Sequence, residues 1–184
     1  MSVYIENISH TAIKYLATKP LVFITTLHPS GIVNAGVFGA YTNLSPSQAG
    51  FAISRDSHTY RNILTRKEFV VNVPGADLVK AIAIIASDIP ESKSEVTEAG
   101  LTLKSGITVK TPSIAECQSA VEFVFERDVE VGEHSFIIGR VTGGWIRKDV
   151  LDPDGRINIF KARVMKDFKY PEPLYVLPGE VISG

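Results

Sequence analysis

In the stretch SRDSHT, Ser54 to Thr59, five side chains able to donate hydrogen bonds to an anion fall within six residues. Ser54, Ser57 and Thr59 offer hydroxyls, Arg55 a planar fork that meets two oxygens at once, and His58 one or two N–H groups. The preceding FAIS reads as the end of a strand, and the residues from Thr59 read as a helix. A helix N-terminus carries unpaired N–H groups and partial positive charge, so a phosphate placed there is held by backbone and side chains together. The plainer alternative is that Asp56 or Ser57 only caps the helix, contributing about 1 kcal/mol, and that Arg55 is a solvated charge. Neither the glycines nor the lysine of a P-loop or a dinucleotide-binding turn is present.

A second stretch, NAGVFGAYTNLSP from Asn34 to Pro46, is rich in small residues and amides and has one aromatic residue in its loop portion, Tyr41. Small residues let a flat ligand approach the backbone, and backbone N–H groups with the amides of Asn34 and Asn43 can meet ring carbonyls and nitrogens. Alternatively it is a hairpin eased by glycine that leads into a turn.

The elements that must position these residues are legible in outline. Ile8, Ala12, Ile13 and Leu16 recur at a helical period over residues 7–17, and Pro20 ends that helix. LVFITTL and IVNAGVFG, joined by the turn HPSG, predict a hairpin over residues 21–39. AYTNLSP reads as a loop, AGFAIS as a third strand and residues 57–66 as a short helix burying Tyr60, Ile63 and Leu64. EFVVNVP, almost wholly apolar, reads as a central strand, and ADLVKAIAIIAS as a helix. Residues 87–106 are polar and read as a loop with one short helix. Two long strands, Ser119 to Val131 and His134 to Ile146, meet at the turn VGE. The proline-rich YPEPLYVLPGE is extended, wrapping the surface or a partner. Strands in series with a few helices predict a mainly β barrel or sandwich with flanking helices.

Bulk properties narrow the function classes. The 184 residues are 45% hydrophobic, which suits a single domain over 1–184 with a sizeable core. Nineteen Lys and Arg against twenty Asp and Glu give a net charge of −1, and no basic tract interleaves with aromatics, so no nucleic-acid partner is expected. The longest apolar runs, LVFITTL and AIAIIA, fall far short of the roughly 20 residues of a membrane helix. Glu6, Asn7 and His10 stand where a signal peptide needs an apolar run, and the single Cys117 excludes an intrachain disulfide. These features predict a cytoplasmic protein.

The order of motifs carries more than any one of them. PLVFITTLHPSGIVNAGVFGAYTNLSPSQAGFAISRDSHTYRNILTRKEFVVNVP, with EAGLTL and EHSFIIGRV downstream, resembles the flavin reductase-like, FMN-binding split-barrel family, which includes flavoredoxin. The shared order is a Pro-opened strand ending in Thr-Thr, a Gly turn, Asn-Ala, a Ser-Pro loop and a strand ending in Ser. Thr-x-x-Asn-Ile and Phe-Val-Val-Asn follow, and the likeness covers roughly residues 10–146. The resemblance implies a six-stranded antiparallel Greek-key barrel with flanking helices, assembled as a homodimer with FMN near the interface. It implies that Ser54, Arg55, His58 and Thr59 hold the FMN phosphate, and that Asn34, Tyr41, Thr42, Asn43 and Leu44 line the ribityl chain and the ring. It departs at SQAG, where many relatives carry Pro-Pro. It departs again at Ser94-Glu95-Val96, where many carry Asp-Lys-Phe; Lys93 stands beside that position.

The activity implied is an oxidoreductase in which hydride from NAD(P)H passes to FMN and on to a flavin, a metal complex or a protein acceptor. The cofactor carries the chemistry, so binding residues and no acid–base pair are expected. His134 is the candidate contact for the second substrate, against the alternative of a polar strand-end residue. Cys117 has no adjacent base and reads as a small buried residue. His10 and His28 have no companions at ligand spacing, so no metal is assigned, and Glu122, Glu126, Asp128 and Glu130 read as a solvated strand face. Two alternatives stay open: an FMN electron carrier without a nicotinamide site, and a flavin-free binding protein on the same barrel.

Overall fold

The computed structural model describes residues 19–169, 174–180 and 182. The helix expected over residues 7–17 lies outside them. In chain order the strands and helices are β1 (Lys19–Pro20), β2 (Val22–Leu27), β3 (Val33–Phe38), β4 (Tyr41–Ser45), β5 (Gln48–Ser54), α1 (His58–Arg66), β6 (Glu68–Val73), α2 (Val79–Ile85) and α3 (Glu95–Glu98). Then come β7 (Leu103–Lys104), β8 (Ser113–Ile114), β9 (Ser119–Val131), β10 (His134–Ile146), α4 (Ile159–Ala162), β11 (Lys166–Lys169) and β12 (Leu174–Val176).

Seven strands form one antiparallel sheet in the order β3-β2-β6-β9-β10-β5-β4, while β1, β11 and β12 form a small second sheet. The fold is mainly β with flanking helices, as expected. The ladder has one strand more than the six implied, because Tyr41–Ser45, expected to be a loop, pairs with β5 as an edge strand. Four of its five residues are exposed, so it shows no alternation of apolar side chains. The long hairpin is as read: β9 and β10 are 13 residues each, and Gly132, at φ 60°, opens the turn in a conformation that suits glycine. Register shifts at Ile138/Gly139 and Val141/Gly143 interrupt this ladder, and bulges of this kind bend the strand that carries them.

Alternation along β2 sends Val22 and Ile24 to one core and Phe23 to another, which Leu21, just before the strand, also joins. The first core joins them to Phe51, Ile53, Ile63, Phe69, Val71, Phe123 and Ile137. The second lies under α2 and α3, with Ala81, Ile82, Ile85, Val96 and the buried Cys117, whose thiol pKa burial pushes well above its ordinary value. Two motif asparagines are internal ties. Asn72, fully buried, accepts from the Ile114 N–H at 2.8 Å and donates to Thr25 Oγ1 at 3.2 Å. Asn62 donates to Thr26 Oγ1 at 3.1 Å. The buried residues of α1 are therefore Thr59, Asn62 and Ile63, whereas Tyr60 and Leu64 are only half-buried. Period alone favours apolar side chains for that face, but here buried hydroxyls on β2 supply partners for polar ones.

The carboxylates of β9 also divide, and only part of the row is a solvated face. Glu126 and Glu130 are exposed, while Asp128 accepts from Tyr60 Oη at 2.8 Å. Glu122 is fully buried and accepts from the N–H groups of Ile107 at 2.7 Å and Thr108 at 2.6 Å, and from Thr108 Oγ1 at 2.6 Å. Burial pushes its carboxyl pKa up, but these bonds outweigh it and hold the group below its ordinary value. A depressed pKa stabilises the fold above the unfolded-state value, about 4.3, and that stability is lost as pH falls through the folded value. Glu122→Gln is expected to cost about 2–3 kcal/mol at pH 7, since the amide has one oxygen where two carboxylate oxygens accept and turns its NH2 toward a backbone N–H left without an acceptor, and to flatten the acid limb of a urea-melt stability profile. An unchanged acid limb would show that Glu122 does not drive it.

Candidate functional site

The N-terminus of α1 is built by its own sequence. Ser57 is the N-cap: its Oγ accepts from the Tyr60 N–H at 3.2 Å and donates to the Ser54 carbonyl at 2.8 Å. Ser54 Oγ in turn accepts from the Asp56 N–H at 3.3 Å. By helix geometry the N–H groups of His58 and Thr59 have no intrahelical acceptor. Thr59 is buried, and its Oγ1 accepts from Asn34 Nδ2 at 2.9 Å, which locks the helix start against β3. Asn34 also donates to Thr26 Oγ1 at 3.2 Å.

A cleft of about 530 Å³ opens at this junction. Asn34 to Phe38 of β3 form one wall and Asp56 to Thr59 with Arg61 another; Ile85 to Asp88 and Glu95 close the third side. Gly36 keeps the strand wall low, since a Cβ there would come within 2.9 Å of the Phe38 ring. β3 is an edge of the sheet, so one side of its backbone faces away from β2. The Ala35 N–H uses that side to donate to Glu95 Oε2 at 2.8 Å. Two residues on, the Val37 N–H points the same way by strand alternation and faces the cleft.

Arg61 supplies the positive charge of this site, and His58 stands beside it. Arg61 Nη1 donates to the Asp56 carbonyl at 2.7 Å, and its Nη2 meets Glu91 Oε1 at 3.2 Å. His58 Nε2 lies 3.5 Å from the same Glu91 oxygen. Behind it the buried His28 ring packs edge-on at 5.4 Å between centroids. Burial holds the His28 pKa below its ordinary value, against the opposing pull of Glu91, so His28 stays neutral at neutral pH. Glu95 is buried, and that burial raises its carboxyl pKa despite the Ala35 N–H bond.

Of the residues singled out in the sequence, Asn34, His58 and Thr59 come together around this cleft. Ser54 lies beneath it, shaping the turn. The Arg55 guanidinium is committed elsewhere, to Glu130 Oε1 at 2.9 Å and the Gly132 carbonyl at 3.1 Å. Tyr41, Thr42, Asn43 and Leu44 lie on β4, outside the cleft lining; Tyr41 packs against the first core and donates to Asn43 Oδ1 at 3.1 Å. His134 is exposed at the start of β10, opposite Ser54. Sequence reasoning missed Arg61, which stands three residues after His58 on one helix flank, a spacing that was available. It also missed Asp88 and Glu95, which reach the cleft from distant parts of the chain. No group of three or more metal-ligating side chains occurs among the described residues.

The chain belongs to the flavin reductase-like family: the model of the flavin reductase like domain matches residues 15–169. It is 31% identical over 150 residues to an uncharacterized protein of Halalkalibacterium halodurans, covering 74% of this chain and 72% of that one. Nitrilotriacetate monooxygenase component B from Bacillus cereus has the same fold, with a TM-score of 0.86 at 22% identity over 100% of this chain and 98% of that one. So does the flavoredoxin of Desulfovibrio vulgaris (Miyazaki F), with a TM-score of 0.83 at 19% identity over 100% and 96% of the two chains. Membership of the family supports a flavin cofactor. Among the described residues no helix is long and apolar enough to cross a membrane.

Proposed function

We propose that the protein is an FMN-dependent oxidoreductase whose cofactor lies in the cleft between the N-terminus of α1 and the free edge of β3. One observation carries this reading: an anion seat and a flat, hydrogen-bonding strand edge border a single cleft of about 530 Å³. That volume is within the roughly 300–1,000 Å³ usual for cofactor sites. His58 and Arg61, with the first N–H groups of α1, would hold the phosphate; Ser57, whose hydroxyl is spent on the cap, braces that end with Thr59 and Asn34. The Val37 N–H would meet a ring carbonyl, and the small side chain of Ala35 and Gly36 itself let the ring approach the strand. When bound, the flavin supplies a ring that takes hydride from NADH or NADPH and hands electrons to a flavin, a metal complex or a protein.

The chain's own contribution is orientation, exclusion of water and donors for developing negative charge, with no acid–base pair. A homodimer belongs to this reading. β4 leaves Thr42, Asn43 and Leu44 exposed on a sheet edge, and cover by a second copy would bring these residues, with Tyr41, toward the flavin. His134 is assigned to the second substrate's side of that assembly, and the protein to the cytoplasm.

The test is an absorption spectrum of protein reconstituted with FMN, followed by anaerobic addition of NADH or NADPH. Flavin bands that bleach within seconds are the expected result. Bands that persist would make the protein an electron carrier without a nicotinamide site, and failure to retain FMN would remove the flavin reading altogether.

A further inference from the structure

We infer that Glu91 is an internal competitor for the flavin phosphate, setting how tightly FMN is held relative to flavins without a phosphate. The inference rests on the cleft being the flavin site. A single oxygen, Glu91 Oε1, lies within reach of both side-chain donors of the anion seat, 3.2 Å from Arg61 Nη2 and 3.5 Å from His58 Nε2. The guanidinium is otherwise anchored: its Nη1 is tied to the Asp56 carbonyl at 2.7 Å. Glu91 is thus the exchangeable partner of a cation held in place by backbone.

Its position suits exchange. Glu91 belongs to the segment between α2 and α3, in a turn closed by the Lys93 N–H donating to the Pro90 carbonyl at 2.9 Å. Its side chain is 53% exposed and can swing into water without breaking that turn. An exposed ion pair is weak, whereas a phosphate brings about two charges and adds the free N–H groups of α1, which the Glu91 carboxylate does not use. FMN therefore displaces Glu91 but loses part of its binding energy in doing so. A flavin without phosphate leaves the Glu91–Arg61–His58 cluster intact. The site holds FMN, and the competing carboxylate keeps it exchangeable.

The experiment compares wild type, Glu91→Gln and Arg61→Ala by titration with FMN and with riboflavin, followed by quenching of flavin fluorescence at low and high salt. Glu91→Gln is expected to tighten FMN about fivefold at low salt, the size of an exposed ion pair, with riboflavin changed less than about twofold. The gain is expected to shrink at high salt as the pair is screened. If Glu91→Gln leaves FMN affinity unchanged while Arg61→Ala weakens it, the competitor role is overturned and the cleft keeps its flavin. Equal tightening of both flavins also overturns it, since that reports a looser segment and not a vacated phosphate seat. If neither change moves FMN affinity, or no form binds FMN, the cleft reading falls and this inference with it.

Discussion

Phe69→Ala is expected to destabilise the protein by about 3–5 kcal/mol, the range for removing a buried aromatic side chain. Phe69 is 1% exposed on β6, the third strand of the seven, where both faces of the sheet are covered. Its ring stacks on Phe123 at 5.0 Å between centroids and meets Phe51 edge-on at 5.4 Å; Phe51 meets Phe38 in the same way at 5.1 Å. The row crosses the first core and ends at Phe38, in the wall of the cleft. Gly139 lies under the ring, where a Cβ would stand 2.6 Å from Phe69 Cζ, so the residue directly beneath offers no side chain to fill the hole. Domains of this size have a total stability of about 5–15 kcal/mol, so the loss is a large share of it. Urea melts of wild type and variant measure the difference. A cost below about 1 kcal/mol would show that the aromatic row does not organise the core.

What could be read from the sequence follows from where each constraint lies. β9, β10 and β6 announce themselves because apolar runs and a glycine turn lie in the chain itself. β4 does not: YTNLS is polar, and the backbone of β5 makes it a strand. The buried face of α1 is not legible for a related reason: Thr59 and Asn62 are buried by partners on β2 and β3. At the site, Ser57, His58, Thr59 and Asn34 were legible because a capped helix start and a small-residue strand are local patterns. Asp88 and Glu95 were not, because the fold brings them to the cleft from distant parts of the chain. The fate of Arg55 is set further away still. Glu130 and Gly132, at the tip of the long hairpin, claim its guanidinium.

Arg61→Ala is therefore expected to weaken FMN by about 1.5–3 kcal/mol, roughly 10- to 150-fold, and riboflavin by far less, because only FMN carries the phosphate. Arg55→Ala is expected to change FMN affinity by less than about threefold, since its guanidinium reaches away from the cleft to Glu130 and the Gly132 carbonyl and does not line it. The two arginines stand six residues apart at the start of the same helix, and composition gives no reason to prefer one. Geometry does: Arg61 lines the cleft with its guanidinium braced by the Asp56 carbonyl, while Arg55 spans to the β9–β10 turn. Isothermal titration of both variants with both ligands separates the cases. Loss in Arg55→Ala with Arg61→Ala unaffected would move the phosphate to the hairpin side of the junction. Equal losses of FMN and riboflavin in Arg61→Ala would mean that the residue holds the helix start in shape and touches no phosphate.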